Sequence, residues 1–301
     1  WPWNRRRMTR TSDETRRLVP TRMPELPETE TIARDLDESI RGAIVRDLVV
    51  LRDDVLREVD AAGLATALHG ASVRRVWRRA KLIVLDFADA LHAEAMVQWH
   101  LVVQPRFTGG LFIERDASTE EIGSYVCVSF GLTDGRRLHY RDVRRLGTVA
   151  LMTPERFADY SAALGPEPLD PALGDAEFSV LIRASRQPLK VALMDQRRLA
   201  GVGNIYANEA LWRAGLDPSR EARSLSDTES AALRAGLQAV LLASIAARGT
   251  SFRDYRDARG ERGRFVEQLA AYGRAGEPCQ RCGHRLVGTH AIDGRSTVFC
   301  H

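Results

Sequence analysis

The hydrophobic pattern of this 301-residue chain changes from strand-like to helical after residue 152, and that change constrains the fold more than any other feature. Between residues 44 and 152, short apolar runs alternate with turn residues, a pattern typical of β-strands. These runs occupy residues 44–51, 71–77, 81–87, 95–103, 110–113, 125–130, 136–140 and 148–152. After the proline-rich segment 164–171, apolar residues recur at helical spacing over 176–185, 189–198, 204–214 and 226–247. The sequence therefore predicts an α+β fold, in which a β-sandwich or barrel is followed by a helical domain.

The residues before the first strand divide at Met23. Residues 1–22 have no hydrophobic periodicity and no apolar signal segment, so we expect a disordered extension or a mis-assigned start of the chain. Beyond Met23, the apolar residues Ile32, Leu36 and Ile40 recur at helical spacing. This spacing predicts a helix that flanks the sheets.

The positive charge of the chain is concentrated at its amino terminus. The whole sequence has a formal net charge of +4, but residues 1–22 alone carry +5, so the remaining residues carry −1. Overall charge is therefore no argument for nucleic-acid binding, and a basic surface must come from local clustering. The 44 basic residues include only two lysines, Lys81 and Lys190. A position that keeps lysine in such a chain favours a property that arginine lacks, such as an amine able to release its proton.

Cysteine spacing predicts a metal site near the carboxyl terminus. No apolar run approaches the roughly 20 residues of a membrane-spanning helix, and four cysteines are too few for a disulfide scaffold. Cys279 and Cys282 have the CxxC spacing of a zinc site, and Cys300 follows. A redox CxxC pair is the alternative. A fourth ligand could lie beyond the sequence given, or could be one of three nearby histidines, His284, His290 and His301.

Seven motifs of the chain together resemble those of the formamidopyrimidine-DNA glycosylases. In chain order they are PELPE (24–28), RRAKLIVLDF (78–87), DVRRLG (142–147), LGPEPL (164–169), LMDQRRLAGVGNIYANEAL (193–211), YGRAGEPCQRCG (272–283) and GRSTVFC (294–300). The resemblance covers residues 23–301 and implies three domains. They are a catalytic β-sandwich domain with a flanking helix (23–155), a helix–two-turn–helix DNA-binding domain (164–270) and a zinc finger with a DNA-contacting β-hairpin (271–301).

The resemblance assigns the central chemistry to Pro24 and Glu25. In this family the initiating methionine is removed, and the nitrogen of the new terminal proline attacks the sugar and forms an iminium ion. The same nitrogen inside a peptide bond is an amide without an available lone pair, so a preceding extension would abolish catalysis by Pro24. Glu25 would protonate the ring oxygen of the sugar. On residue type alone, both residues could equally belong to the start of a helix.

Further site residues are implied by the other motifs. Lys81 matches a lysine that contacts phosphate and assists proton transfer, and Arg295 matches an arginine that grips phosphates and assists elimination. Arg186, Lys190 and Asn204 would contact phosphate. For Asn204 there is also a physical reason, because the glycine-rich turn 201–203 before it begins a helix and such turns bind anions.

The motif DVRRLG places Arg144, Arg145 and Leu146 at the DNA. Here the sequence departs from the family, which fills the space left by an extruded base with Met, Arg and Phe. Leu146 stands where Phe is usual, and the stretch 102–110 replaces the Met-bearing turn. We expect Phe107, the aromatic residue of that stretch, to supply the missing ring.

The implied function is that of a bifunctional DNA glycosylase and abasic-site lyase of base excision repair. Its substrate would be damaged double-stranded DNA containing an oxidised or ring-opened purine, and its cofactor one structural Zn²⁺ held by Cys279, Cys282 and Cys300. The polar segment 249–264 predicts a mobile loop where the family carries a base-capping loop, which favours purine lesions. We expect a monomer without a membrane segment, in the bacterial cytoplasm at the nucleoid.

Two alternatives stay open at this point. A glycosylase of the same fold could act on oxidised pyrimidines or on abasic sites, as the endonuclease VIII group does. A protein with Pro24 inside the chain could instead bind damaged DNA without catalysis.

Overall fold

The fold is seen in a computed structural model that describes residues 23–91, 96–114, 123–252 and 255–301. The expected extension over residues 1–22 lies outside the described residues.

The amino-terminal half is built mainly of strands. Its elements are α1 (Leu26–Ile40), β1 (Val45–Val50), β2 (Leu56–Arg57), α2 (Ala61–Leu68), β3 (Ala71–Arg79), β4 (Leu82–Asp89), β5 (Trp99–Gln104), β6 (Gly109–Glu114), β7 (Val126–Leu132), β8 (Arg137–Asp142), β9 (Thr148–Met152) and α3 (Pro154–Ala162). Every run expected to be extended overlaps a strand, and the predicted first helix is α1.

The strands form two sheets that enclose one core. One sheet has the order β1-β7-β8-β6, and the other has the order β2-β9-β5-β4-β3 with only the β2–β9 pair parallel. Buried side chains of both sheets, such as Phe130 and Phe87, pack in the same cluster as Ile32 and Leu36 of α1. The apolar face of α1 therefore covers the core of the sandwich, as the helical spacing of its apolar residues predicts.

Three elements of this half were not predicted, namely β2, α2 and α3. The two helices have local start signals: Asp60 accepts a hydrogen bond from the Gly63 amide at 2.7 Å, and Thr153 accepts one from the Arg156 amide at 3.2 Å. Pro154 occupies the first turn of α3, where a missing amide proton costs nothing. Both helices are short, so their apolar residues are too few to show a helical period in the sequence.

The carboxyl-terminal half is helical and ends in a hairpin. Its elements are α4 (Asp175–Arg183), α5 (Leu189–Met194), α6 (Asn204–Ala214), α7 (Asp227–Ala246), β10 (Val287–Thr289) and β11 (Thr297–Phe299). Gly215 ends α6 in the left-handed region at φ 70°, and Ser226 with Glu229 forms a capping box at the start of α7. The expected α+β class, with sandwich, helical domain and carboxyl-terminal hairpin, is confirmed.

Residues 255–264 differ from the mobile loop that their composition predicts. Asp257 is fully buried against Arg248, which also pairs with Asp35 of α1. Ala258 is 3% exposed and belongs to the core of the sandwich. An ion pair with a buried carboxylate and a buried alanine therefore anchor this part of the segment. Among the helices of the described residues, none has the length and the apolar character that a membrane span requires.

Candidate active site

A cavity of about 340 Å³ lies where the sandwich, the helical domain and the hairpin meet. Four of the predicted site residues line it: Glu25, Lys81, Asn204 and Arg295. Tyr272 and His290 also line it, although neither was predicted as a residue of this site. Only their places in the sequence could have indicated them: Tyr272 is the first residue of one family motif, and His290 lies shortly before another.

The start of α1 is fixed against the helical domain next to the cavity. Met23 and Glu25, on either side of Pro24, line the cavity, whereas Pro24 itself is buried and is not among the lining residues. The amide of Leu26 donates to the carbonyl of Gly201 at 3.2 Å, and the Leu26 side chain is buried in the helical core. Because Met23 precedes it, the Pro24 nitrogen in this sequence is an amide.

Glu25 is a buried carboxyl group with one oxygen held and one free of protein donors. Its Oε1 accepts a hydrogen bond from the Ile205 amide at 3.1 Å, whereas Oε2 has no hydrogen-bond partner among the described residues. Burial raises the pKa of Glu25 to about 7, against the opposing effect of the Lys81 charge. A carboxyl group with this pKa can hold or release a proton near neutral pH, as a general acid must.

Lys81 occupies the turn between β3 and β4, and that turn is fastened to the segment 164–171. Glu167 accepts a hydrogen bond from the Ala80 amide at 2.7 Å and pairs with Arg78 at 2.5 Å. Arg78 in turn pairs with Glu30 of α1 at 2.7 Å. Burial lowers the pKa of the Lys81 amine, although the nearby Glu25 charge opposes the shift. The network therefore fixes Lys81 relative to the helix that carries Glu25.

A second buried glutamate, Glu28, joins α1 to the helical domain. Its carboxylate accepts hydrogen bonds from the Tyr206 hydroxyl, from the Thr250 amide at 2.8 Å and from the Glu25 amide at 2.9 Å. The Tyr206 hydroxyl also contacts Ser244 Oγ at 2.7 Å. Burial raises the pKa of Glu28, and these donors oppose the shift. Glu28 thus joins α1 to the helical domain next to the candidate site. Its position in the first turn of a helix did not predict this role.

The β10–β11 hairpin brings Arg295 to the cavity and is fixed to α6. Asn204 Nδ2 donates to the Ser296 carbonyl at 3.1 Å, and the Val298 amide donates to Asn208 Oδ1 at 2.6 Å. Arg295 itself is exposed. Asn204 therefore contacts the hairpin as well as lining the cavity.

Lys190 differs from its expected role. Its side chain has no exposed surface, and its amine donates to Thr297 Oγ1 at 2.7 Å, Asp293 Oδ1 at 3.1 Å and the Ser296 carbonyl at 3.3 Å. Three protein acceptors already surround the ammonium group, so the predicted contact of Lys190 with phosphate would require the amine to exchange partners. Lys190 instead anchors the hairpin that carries Arg295.

The loop after β8 presents the predicted DNA-contacting residues on the surface. Buried Asp142 accepts hydrogen bonds from the amides of Arg144 at 3.1 Å and Gly147 at 2.8 Å, which fixes the loop between them. Arg144 and Leu146 are exposed, and exposed Arg145 pairs with Asp54 at 3.0 Å. The guanidinium of Arg144 lies over the ring of Phe107, 5.1 Å from its centre.

Phe107 also lines the cavity, so the altered stretch 102–110 does reach the candidate site. Arg186, on the helical domain, is exposed and lies outside the cavity lining.

Cys279, Cys282 and Cys300 come together in space. Their sulfur atoms lie within 4.8 Å of one another, and the sulfurs of Cys282 and Cys300 are 3.3 Å apart. Hydrogen bonding, chiefly from the Arg281 amide, lowers the pKa of the Cys279 thiol to about 6. Three converging sulfurs with a donor-stabilised thiolate fit a soft metal ion. Among the described residues, none of the histidines considered as a fourth ligand belongs to this group, and His290 lies at the cavity instead.

Comparison with known proteins identifies the family. The formamidopyrimidine-DNA glycosylase N-terminal domain matches residues 23–149, and the H2TH domain of the same glycosylases matches residues 164–256. Formamidopyrimidine-DNA glycosylases of Desulfitobacterium hafniense and Heliobacterium modesticaldum are 39% and 40% identical to this chain, and each match covers 92% of this chain and 98% of the relative.

Solved structures agree with the sequence comparison. A mutant Lactococcus lactis Fpg bound to Fapy-dG-containing DNA superposes with a TM-score of 0.82 at 28% identity, over 92% of this chain and 98% of that one. The Lactococcus lactis Fpg bound to DNA with an abasic site gives a TM-score of 0.81 at 28% identity, over 92% and 97% of the two chains. The resemblance seen in the motifs is thereby confirmed, and the chain belongs to the formamidopyrimidine-DNA glycosylase family.

Proposed function

We propose that this protein, a DNA glycosylase of base excision repair by family, removes oxidised or ring-opened purines from duplex DNA and then cleaves the abasic strand. The observation that carries the proposal is the meeting of Glu25, Lys81, Asn204 and Arg295 around one cavity, which Met23, the residue before Pro24, also lines. A cavity of about 340 Å³ is in the range of small-molecule sites, which suits an extruded nucleotide.

The first step is nucleophilic attack by Pro24. Once the residues before it are removed, its nitrogen is a secondary amine that can bond to C1′ of the damaged nucleotide as the glycosidic bond breaks and the base departs. Glu25, whose pKa is about 7, protonates the sugar ring oxygen, so the ring opens and an iminium ion joins enzyme to sugar.

Elimination follows from the iminium ion. Loss of a proton from C2′ breaks the 3′ C–O bond, and a further elimination releases the 5′ phosphate. Water then hydrolyses the imine and frees Pro24. The Lys81 amine, whose pKa burial lowers, assists proton transfer, and Arg295 stabilises the departing phosphates.

The remaining surface positions the duplex. Exposed Arg186 and Arg295 are suited to phosphate contact, which orients the DNA without reading its sequence. Arg144 and Leu146 enter the space that the extruded base leaves, and Arg145 beside them contacts the DNA. Because the substrate is chromosomal DNA, the protein acts in the bacterial cytoplasm at the nucleoid.

The cofactor is one Zn²⁺ bound by Cys279, Cys282 and Cys300. Thiolates are the usual ligands of structural zinc, and these three converge on one point. The ion supplies structural support for the hairpin that carries Arg295, and no catalytic step passes through it.

Borohydride trapping on an 8-oxoguanine duplex tests the proposal, since borohydride reduces an iminium ion to a stable covalent bond. Three forms of the protein are compared: one that begins at Pro24, the same form with an acetylated amino terminus, and one that begins at Trp1. We expect an adduct only with the first form. An adduct with all three would assign the nucleophile to another amine, and no adduct with any would refute the proposed lesion class. Duplexes that contain an oxidised pyrimidine or an abasic site then distinguish the alternative substrates.

A further inference from the structure

We propose that Trp212 positions Cys279 for the metal ion by donating a hydrogen bond from its indole nitrogen to the cysteine sulfur. The inference rests on the proposed zinc site, and it assigns a role to a residue at the far end of α6 from Asn204.

The Cys279 sulfur accepts hydrogen bonds from two protein N–H groups. Trp212 Nε1 lies 3.4 Å from Cys279 Sγ, and the Arg281 amide lies 3.4 Å from the same atom. Cys279 is 3% exposed, so water does not compete for these contacts. A thiol is a weak acceptor, whereas a thiolate accepts such bonds well. Two N–H donors on one buried sulfur therefore fix its position and the direction of the lone pair that remains for the metal.

The indole ring is itself held in place. The Arg281 guanidinium stacks over the Trp212 ring at 4.6 Å from its centre and donates to the Trp212 carbonyl. Arg281 lies between Cys279 and Cys282 in the sequence, so the loop that carries both ligands is fastened to the end of α6. The ring also packs against the small core of the finger, which contains Leu286 and Val298. Trp212 therefore links the ligand loop, the hairpin and the helical domain.

The Trp212→Phe substitution isolates the hydrogen bond. Phenylalanine keeps an aromatic ring for the packing and for Arg281, but it has no N–H group to offer the sulfur. Loss of such a partner of a metal ligand usually weakens metal binding by about 10- to 100-fold. Trp77→Phe is the matched control, because Trp77 Nε1 donates to Asp86 at 2.8 Å, remote from the cysteines.

The measurement is zinc affinity, by competition with a chromogenic chelator, on each folded protein. We expect one zinc per wild-type chain, the same affinity for Trp77→Phe, and about 10- to 100-fold weaker binding for Trp212→Phe. Equal affinities of Trp212→Phe and the wild type would overturn the role of Trp212. A wild-type protein that binds no zinc would instead refute the metal site on which the role rests.

A second measurement on the wild type decides the matter if the variant does not fold. In protein loaded with ¹¹³Cd, a hydrogen bond to a metal-bound sulfur transmits scalar coupling from the metal to the donor proton. We expect this coupling on the Trp212 indole proton and none on that of Trp77. Absence of coupling at Trp212 in the loaded protein would refute the hydrogen bond.

Discussion

The carboxyl group of Glu25 packs directly against the backbone of Gly203, so that a Cβ atom at position 203 would lie 2.6 Å from Glu25 Oε2. Gly203 directly precedes α6, whose first turn provides the Ile205 amide that holds the other carboxyl oxygen. Residue 203 must therefore lack a side chain for Glu25 to keep its place in the cavity. The requirement is steric, because Gly203 has an ordinary extended backbone at φ −131°.

The Gly203→Ala substitution should inactivate the enzyme without unfolding it. The added methyl group displaces the Glu25 carboxyl group, and misplacement of a catalytic group by about 1 Å can cost about 100-fold in rate. We expect at least that loss in single-turnover excision of 8-oxoguanine, with an unchanged circular dichroism spectrum.

Gly174→Ala is the matched control for this experiment, since a Cβ at position 174 meets no atom within 4 Å. It should retain wild-type activity. A wild-type excision rate for Gly203→Ala would show that Glu25 does not need its observed position.

The raised pKa of Glu25 should be visible in the pH dependence of excision. Burial raises this pKa to about 7, and the proposed step uses the protonated form. The single-turnover rate should therefore fall as the pH rises through about 7. In Glu25→Gln the rate should be low throughout, without this limb. A wild-type rate that stays level from pH 6 to pH 9 would contradict the role of Glu25 as the acid.

The same shift predicts a pH-dependent stability. The folded pKa of about 7 exceeds the ordinary value of 4.5, so protonated Glu25 stabilises the fold below pH 4.5, and this contribution is lost as the pH rises through 7. A shift of this size corresponds to about 3 kcal/mol. The free energy of unfolding of Glu25→Gln, taken relative to that of the wild type, should therefore be higher at pH 8 than at pH 5 by about 3 kcal/mol. Urea unfolding at both pH values measures it, and a constant difference between the two proteins would refute the shift.

Tyr206 should contribute to stability through Glu28. Tyr206→Phe removes the hydroxyl donor to a buried carboxylate and leaves Ser244 and Thr250 without a shared partner. Loss of a buried partner costs about 1–3 kcal/mol, which urea unfolding can resolve. Tyr125→Phe, at a side chain that is 47% exposed, should change the free energy of unfolding little. Equal stability of the two variants would show that the Tyr206 hydroxyl contributes nothing.

Local sequence pattern predicts the sandwich well because strand periodicity is a local property. The runs at 44–51 and 125–130, for example, became the paired strands β1 and β7. Family motifs likewise bring Glu25, Lys81, Asn204 and Arg295 forward as candidates, and the structure places all four on one cavity.

Contacts between distant residues could not be predicted in this way. Glu167 fixes the turn that carries Lys81 by accepting a hydrogen bond from the Ala80 amide, although the two residues are 87 positions apart in the sequence. No local pattern links the two segments. Lys190 shows the same limit. Its rarity suggested chemistry, whereas the hydrogen bonds of its amine go to acceptors more than 100 positions away. Tertiary structure decides whether a charged group is buried, and residue type and spacing do not predict it.

Phe107 should take part in lesion recognition. Its ring lines the cavity beneath the Arg144 guanidinium, and Thr108 joins the two loops by accepting from the Arg144 amide at 3.0 Å and donating to Asp142 at 2.5 Å. Phe107, Arg144 and Leu146 are thus presented by loops that are fixed to each other. Stacking of a base on an aromatic ring contributes about 1–3 kcal/mol. Phe107→Ala should therefore weaken binding to a duplex with an uncleavable abasic analogue by about 10- to 100-fold.

Phe107→Leu separates the aromatic ring from apolar bulk. If stacking matters, the leucine variant should bind the abasic duplex nearly as weakly as the alanine variant; if Phe107 acts only as a wedge, leucine should restore most of the affinity. Binding to undamaged duplex should be equal in all three proteins, since it depends on phosphate contacts. Wild-type affinity of Phe107→Ala for the abasic duplex would exclude Phe107 from recognition and leave Arg144 and Leu146 to fill the space left by the base.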